Sequence, residues 1–442
     1  MIKYSRFFIT LIFAVTAIGA MAQSTATTSS PYSQFGLGDI DQVGLPQNIG
    51  MGGIGTAINR ISGYNNISLL NPASYGAINY TIIDAGIYSN VVSLNQIGKP
   101  ASSNANFRLS HVVFAVPVSK RSALSFGLTP YSEMGYNYKQ TSNKGFGTGS
   151  PADTNTVNYI YRGDGGLSKA YLGYGFGLGK HLLLGANVSY IFGNLQQFSS
   201  TEIPALYGTL NSRVEQSNSV GGLNYDYGLQ YSFDFGAQKQ NHLILGYSAS
   251  ANSKLTTTNT YIVSQYTYDA NGNENLASDS LISRQGSKSK IQLPQINHFG
   301  ISYQEGLKFL VGADFSMGKW SGLTVSGANA GLQDSKTLNV GGQFTPNINA
   351  LHNYFARTDY RLGFIYDQTY LNLNNTNIER YAVTFGLGLP LAPNNTSFYK
   401  INFSAEIGQR GRLTGGLVKE NYVNFHLGFT LNDKWFQRYK FE

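Results

Sequence analysis

Six histidines (His111, His181, His242, His298, His352 and His426) and a thin supply of acids are the raw material for a reaction centre in this 442-residue chain. A hydrolase needs Ser and His within hydrogen-bond reach, and a third group that orients the imidazole. The closest approach is His426, on the inward side of the last alternating segment and beside the segment carrying Glu406. That acid–imidazole contact reads as a structural pair, not a catalytic one. No His/Asp/Glu group has metal-ligand spacing. "DANGNEN" (Asp269 to Asn275) loosely follows a calcium loop but lacks the acidic ligand at its end, so it reads as an outer turn. The glycine-rich run Gly50–Gly55 carries no P-loop lysine and follows no strand, which removes phosphate cradling. The sequence therefore predicts no enzyme, no metal and no cofactor.

Transport is the remaining chemistry. A fatty acid needs an apolar slot for its tail and a basic or polar group for its carboxylate. Counting faces along the chain places Asp314, Arg361, Asp367, Glu406 and Arg357 inward, with His426 beside them. Arg361 is the candidate for an anionic headgroup, against the blander reading of opposite-sign pairs that hold structure together. Leu69, Leu70, Ile67, Leu183 and Ile191 are the candidates for an apolar surface.

These residues need elements to position them. Lys3 and Arg6 precede the apolar stretch "FFITLIFAVTAIGA", which ends at Ala20-Met21-Ala22, the order of a secretory signal peptide. Residues 1–22 are read as that leader. The stretch is too short for a retained helix of roughly 20 residues. Charged residues make up 12% of the chain, half the usual ~25%, while 51 Gly, 31 Tyr and 26 Phe are an excess. Cys is absent, so no disulfide framework exists. The net charge of +8, or +6 without Lys3 and Arg6, is scattered over loops and forms no nucleic-acid stripe. An exported, aromatic, glycine-rich and charge-poor chain fits a bacterial outer-membrane β-barrel.

Alternation supports that class, because successive strand side chains face opposite sides. "NYVNFHLGFTL" puts Val423, Phe425, Leu427, Phe429 and Leu431 on one face. "YAVTFGLGLPL" does the same with Tyr381, Val383, Phe385, Leu387 and Leu389. "HLLLGANVSYIF" contributes Leu182, Leu184, Ala186, Val188, Tyr190 and Phe192. Fourteen strands are predicted, near 79–95, 105–118, 122–138, 157–178, 181–198, 213–235, 241–262, 285–304, 307–319, 332–346, 357–372, 377–390, 396–410 and 420–431. Connections after even strands are short, and many after odd strands are long and polar, as expected for periplasmic turns and outer loops. The tenth, 347–356, is the exception and reads as a turn with a short helix. A soluble sandwich has no reason to sort its loops this way. Tyr131, Tyr136, Tyr138, Tyr159, Tyr161, Tyr360, Tyr366, Tyr370, Phe398 and Tyr399 are expected to form interfacial girdles.

Residues 23–78 do not alternate. An irregular backbone cannot face lipid, because its unpaired polar groups cost too much there. Few charges, with Leu45, Ile49, Met51, Ile54 and Ile58, argue for a plug in the lumen over a periplasmic extension. The expected organisation is thus leader 1–22, plug 23–78, an all-β transmembrane antiparallel barrel over 79–431, and a periplasmic tail over 432–442.

The run Gly52, Gly53, Gly55, Thr56, Ala57, followed by Asn71, Pro72 and Ala73 ahead of fourteen strands, resembles the FadL-type outer-membrane long-chain fatty-acid transporter family. "LPQINHFGISYQ" and "DSKTLNVGGQFTPN" resemble strands of that family, and the C-terminal segment resembles related barrels from Bacteroidetes-type bacteria. The chain departs at Ser74, where transporters of this type often carry glycine, and in its basic, aromatic tail. The resemblance implies a hatch containing Asn71-Pro72-Ala73, with Leu69 and Leu70 on the ligand path. It implies passive uptake of a hydrophobic small molecule or lipid across the outer membrane. The competing expectation is a non-transporting plugged barrel serving as a structural or partner subunit of an outer-membrane secretion or assembly complex. An open porin is disfavoured by the apolar segment before the barrel.

Overall fold

The computed structural model describes residues 28–434, apart from 62–63, 143–154, 205–207, 237–239, 270, 276–279, 326–327 and 393–396. The expected leader and residues 435–442 of the expected tail lie outside the described residues. Strands β1 (Thr81–Asn95), β2 (Ser102–Ser119), β3 (Ser122–Ser142), β4 (Val157–Leu178), β5 (Leu182–Glu202) and β6 (Asn211–Phe235) form one half of the wall. Next come β7 (Asn241–Ser250 and Lys254–Tyr268) and β8 (Ser280–Gln292 and Ile296–Glu305), each broken by a kink. The wall continues with β9 (Phe309–Gly318), β10 (Ser335–Phe344), β11 (Asp359–Leu373), β12 (Thr376–Pro390), β13 (Ser397–Arg410) and β14 (Lys419–Asp433). Neighbours pair antiparallel, and β14 closes on β1 from Lys419–Asn95 to Asp433–Thr81. The result is a closed fourteen-stranded barrel, the topology that leaves no sheet edge in the lipid.

Alternation decides which way each side chain points. Leu172, Tyr174 and Phe176 of β4, Val188 and Tyr190 of β5, Tyr381, Val383 and Phe385 of β12, and Phe425, Leu427 and Phe429 of β14 are all exposed. Their sequence neighbours Leu183, Ile191, Ala382, Thr384 and Thr430 are buried. So much contiguous outward apolar surface is stable only against lipid, which makes this a membrane barrel of the bacterial outer membrane. One hairpin is tighter than its outer position suggests: β11 and β12 join through Asn374 and Asn375 alone, with φ of 51° and 58°. These left-handed angles suit Asn in a two-residue hairpin. The tenth connection holds the expected short helix, Tyr354–Arg357.

The girdle expectation needs correction. Tyr136 is buried and Tyr131, Tyr138 and Tyr370 pack with it in an inner cluster with Tyr32, Leu37, Met134 and Trp320. Tyr370 stacks on Trp320 at 4.8 Å and donates to the Gly38 carbonyl at 2.8 Å. The outer halves of these strands enclose the N-terminal segment, so their inward aromatics fill its surface instead of meeting headgroups. Tyr360 of the expected set does face outward.

Residues 28–80 sit within this ring. Leu45, Ile49, Met51, Ile54, Ile58 and Ile67 are fully buried. The segment touches inward positions all round the wall: Gly50 lies against Gly386 of β12, Pro46 against Gly428 of β14, Pro72 against Gly175 and Gly185 of β4 and β5, and Thr56 against Gly246 of β7. Only a segment inside the lumen can meet all of these at once. At several wall glycines, Gly185 and Gly363 among them, the approach leaves no room for a side chain. A Cβ on Gly185 would fall 2.3 Å from the Pro72 carbonyl oxygen, and one on Gly363 would fall 2.1 Å from the Gly52 nitrogen. Substituting either by Val should cost about 1–3 kcal/mol through overpacking. The expected readout is a lower unfolding temperature of the heat-modifiable band for Gly185→Val and Gly363→Val, with no change for Val on an outward position such as Ala405.

Candidate functional site

Asn71 lies immediately before the turn that positions the site. It caps a short 3-10 helix, Pro72–Ala77, by accepting the Ala73 N–H at 3.0 Å. Its amide nitrogen donates to the Thr56 carbonyl at 2.7 Å, and to the wall carbonyls of Leu229 at 3.1 Å and Tyr247 at 3.3 Å. One buried side chain thus ties two parts of the plug to each other and to β6 and β7. Proline follows because it fixes φ at the first helical position and needs no N–H partner there. Ala73 is fully buried, and its small side chain lets the helix lie against Leu183. Ser74 accepts the Ser68 N–H at 3.2 Å, closing the loop that carries Leu69 and Leu70. The departure from glycine at this position has that local use.

Asp314 holds the glycine-rich run. One carboxylate oxygen of this buried residue accepts the N–H of Gly55 at 2.7 Å and of Thr56 at 2.8 Å. Thr384 of β12 accepts the Gly52 N–H at 2.8 Å, Ser302 of β8 donates to the Ala57 carbonyl at 2.7 Å, and Gln230 of β6 donates to the Thr56 carbonyl at 2.9 Å. The lumen-charge expectation for Asp314 resolves into an anchor for plug backbone.

The other expected charges sit elsewhere. Arg361 is buried near the periplasmic end, where its guanidinium donates to Asp359 at 2.8 Å, Gln343 at 2.6 Å and Asn402 at 2.9 Å. Lys400 shares Asp359 at 2.7 Å. This is a wall network rather than a headgroup site open to cargo, and that placement corrects the headgroup reading of Arg361. Glu406 accepts the Tyr422 hydroxyl at 2.7 Å. Its register partner is Asn424, whereas His426 faces Ser404 and lies tilted against the Tyr88 ring at 4.8 Å, so the structure does not join Glu406 to His426. Arg357 belongs to the periplasmic helix and not to the inward face of a strand. In "DANGNEN", Asp269 accepts the N–H groups of Asn273 at 2.7 Å and Asn271 at 2.9 Å. Those bonds, Asn273 foremost, hold its carboxyl below the usual range and use it as a turn former. Among the described residues no group of three metal-ligating side chains occurs.

The wall itself carries a feature that counting strands did not reveal. The β2–β3 ladder runs only from Ser119–Ser122 to Val112–Leu128. Beyond it, β3 passes through Pro130, which cannot donate to a ladder, and slips register against β4 at Tyr131. The freed edge of β3 is taken by the plug: Asp39 and Ile40 pair with Glu133 and Ser132, and the Asp41 N–H donates to Tyr131. On the β2 side Arg108 bridges the gap by pairing with Asp41 and, at 2.7 Å, with Glu133. Phe107 and Leu109 flank the same edge outward. Behind the gap lies a cavity of about 160 Å³ touching Arg108, His111, Thr129, Pro130, Glu133 and Leu69. A second, of about 260 Å³, adjoins it deeper in the lumen, against Leu69, Leu70, Tyr75, Tyr131 and Trp320. Charged groups rim both, chiefly Lys169 paired with Asp226 at 2.6 Å and Arg410 paired with Asp39 at 2.9 Å and Glu420 at 2.7 Å.

Leu69 lines both cavities and Leu70 the larger one, while Asn71, Pro72 and Ala73 set their place behind them. The residues missed from sequence are Asp41, Arg108 and Glu133. Pro130 inside an otherwise alternating strand was the one available sign of a broken ladder.

Several solved structures share this fold. The Pseudomonas putida toluene transporter TodX is 13% identical with a TM-score of 0.57, covering 90% of this chain and 100% of its own. The Ralstonia pickettii toluene transporter TbuX is 16% identical with a TM-score of 0.54, over 89% of this chain and 99% of its own. A Pseudomonas aeruginosa FadL homologue is 14% identical with a TM-score of 0.54, over 90% and 99%. At these identities the likeness is one of fold. No curated relative matches the sequence. The family model described as BamG matches residues 1–442, the full chain.

The Asp314 anchor gives a direct test. Asp314→Asn keeps the shape but removes the charge from two hydrogen bonds, a loss of about 1.5–3 kcal/mol. Hydrogen exchange should then accelerate at the Gly55 and Thr56 amides while the β12–β13 ladder stays protected.

Proposed function

The chain belongs to the BamG family, and we propose that it is a plugged outer-membrane barrel that lets small hydrophobic compounds cross passively through the gap between β2 and β3. The observation that carries this reading is the gap itself, with a cavity directly behind it and Leu69 on its inner side. A compound partitioned into the outer leaflet meets Phe107 and Leu109 at the edge and reaches Leu69 and Leu70 without crossing the polar outer loops. The channels of similar fold are described as toluene or monoaromatic hydrocarbon transporters, which supports the same class of cargo. Long-chain fatty acids are the finer proposal. Their carboxylate would have to displace an existing partner of Lys169 or Arg410, so they demand more rearrangement than an uncharged ring.

In this reading Arg108, with Asp41 and Glu133, is the latch. Both of its partners lie across the gap from β2, Asp41 on the plug and Glu133 on β3, so breaking the set loosens the plug strand from β2. In a deletion strain, labelled toluene uptake should fall and be restored by the intact gene. Leu69→Trp should block it by filling the cavity while the barrel still folds, and Arg108→Ala should raise it several-fold. Uptake indifferent to all three changes would exclude the reading.

A second reading, a non-transporting partner subunit, is favoured by one observation. Leu351 is 87% and Phe355 73% exposed on the only long periplasmic connection among the described residues. The two diverge in one experiment. Leu351→Ser with Phe355→Ser should leave uptake unchanged under the first reading, and should release a stoichiometric co-purifying protein under the second.

A further inference from the structure

At the periplasmic mouth the lumen charge stops balancing. A cavity of about 380 Å³ lies where the plug meets the turns after β2 and β4 and the junction of β6 with β7. Arg60 of the plug, Lys120 and Arg121 of the first turn, and Lys180 and His181 of the second line it, with His242 opposite. Asp234 is the one carboxylate in the lining. It is engaged by His242 at 2.6 Å and approached by His181 at 3.7 Å. No ion pair involves Arg60, Lys120, Arg121 or Lys180 among the described residues. Arg121 is positioned by donating to the Lys180 carbonyl at 3.1 Å, which brings the two turns together at the rim. Deeper in the barrel the pattern is different: Lys169, Arg108, Arg380 and Arg410 each have an acidic partner.

Cations gathered around a concave mouth with few acids focus positive potential in the cleft. The floor is apolar, made by the inward Leu183 and Ile244. Arg and Lys donors around a shallow apolar floor suit an oxyanion that carries a short nonpolar portion. We propose that this mouth is an anion-binding site for a phosphate- or carboxylate-bearing ligand, held chiefly by Arg121, Lys180 and Arg60. The ligand is either a soluble anion from the periplasm or the headgroup of a periplasmic-leaflet phospholipid reaching over the rim. The site stands independently of uptake, because it lies on the opposite side of the plug from the wall gap.

The test uses the full-length protein in non-ionic detergent, titrated with inorganic phosphate and, separately, with lysophosphatidic acid, at matched ionic strength in chloride. Saturable binding of either probe is expected, weakened at least about tenfold in Arg121→Gln/Lys180→Gln and retained in Arg121→Lys/Lys180→Arg. Binding of phosphate itself identifies a soluble anion, and binding of the lipid alone identifies a headgroup. Heat-modifiable migration checks folding, and Arg60→Gln on the exposed plug hairpin gives an independent variant should the double one fail to fold. Equal affinity in the Gln variants, or an effect reproduced by chloride, overturns the proposal.

Discussion

Everything else in this molecule depends on satisfying the polar backbone of an irregular segment held at membrane depth. Strands solve that problem among themselves, but residues 28–80 cannot. The solution is a set of inward wall groups placed where plug N–H and C=O groups arrive: Asp314 for Gly55 and Thr56, Thr384 for Gly52, Ser302 for Ala57 and Gln230 for Thr56. Asp314 is the strongest of them, because a buried charged acceptor shared by two N–H groups gains more than neutral pairs do. Wall glycines complete the arrangement by letting plug backbone rest on strand backbone. A plug fixed this way is a structural part of the barrel rather than a loose stopper.

On the proposed reading, that fixation is the reason the route runs through the wall. With the plug held by β4 to β9 on one side and by β10 to β14 on the other, moving it bodily would break many bonds together. The region near β2 and the upper half of β3 is held differently. There the plug is tied to β3 by a two-residue strand and by the Ser33–Gly135, Leu37–Ser132 and Gln34–Tyr138 bonds, while β2 reaches it through Arg108 and the Ser29–Asn106 bond, so a few side-chain contacts stand in for a full ladder. The fold thereby separates a rigid seal from a local latch. Pro130 is the residue that creates the difference, since it ends the β2–β3 ladder without ending β3.

The strand count and face assignment were legible because outward residues obey one solvent, lipid, over the whole belt. Phe425, Leu427 and Phe429 needed no tertiary information to be placed. The upper strand halves were not legible for the opposite reason: Tyr136 and Tyr370 alternate equally well whether they meet headgroups or a plug. Asn71-Pro72-Ala73 announced a capped turn, and the structure supplied its partners, Thr56 and the carbonyls of Leu229 and Tyr247. Arg361 misled because parity gives the face but not the neighbours, and Asp359 and Asn402 had already claimed its guanidinium. Arg108, Asp41 and Glu133 were invisible because they lie far apart in sequence and meet only where a ladder fails.

The central claim is that hydrophobic compounds enter through the β2–β3 gap and contact the plug. Photolabelling of the membrane-embedded protein with a diazirine-bearing aromatic hydrocarbon, mapped by mass spectrometry and competed with unlabelled compound, addresses it most directly. The account predicts competable modification at Leu69, Leu70 and Tyr131 together with Leu109. Modification confined to outward belt residues such as Phe364 and Leu427, unaffected by competitor, would contradict it.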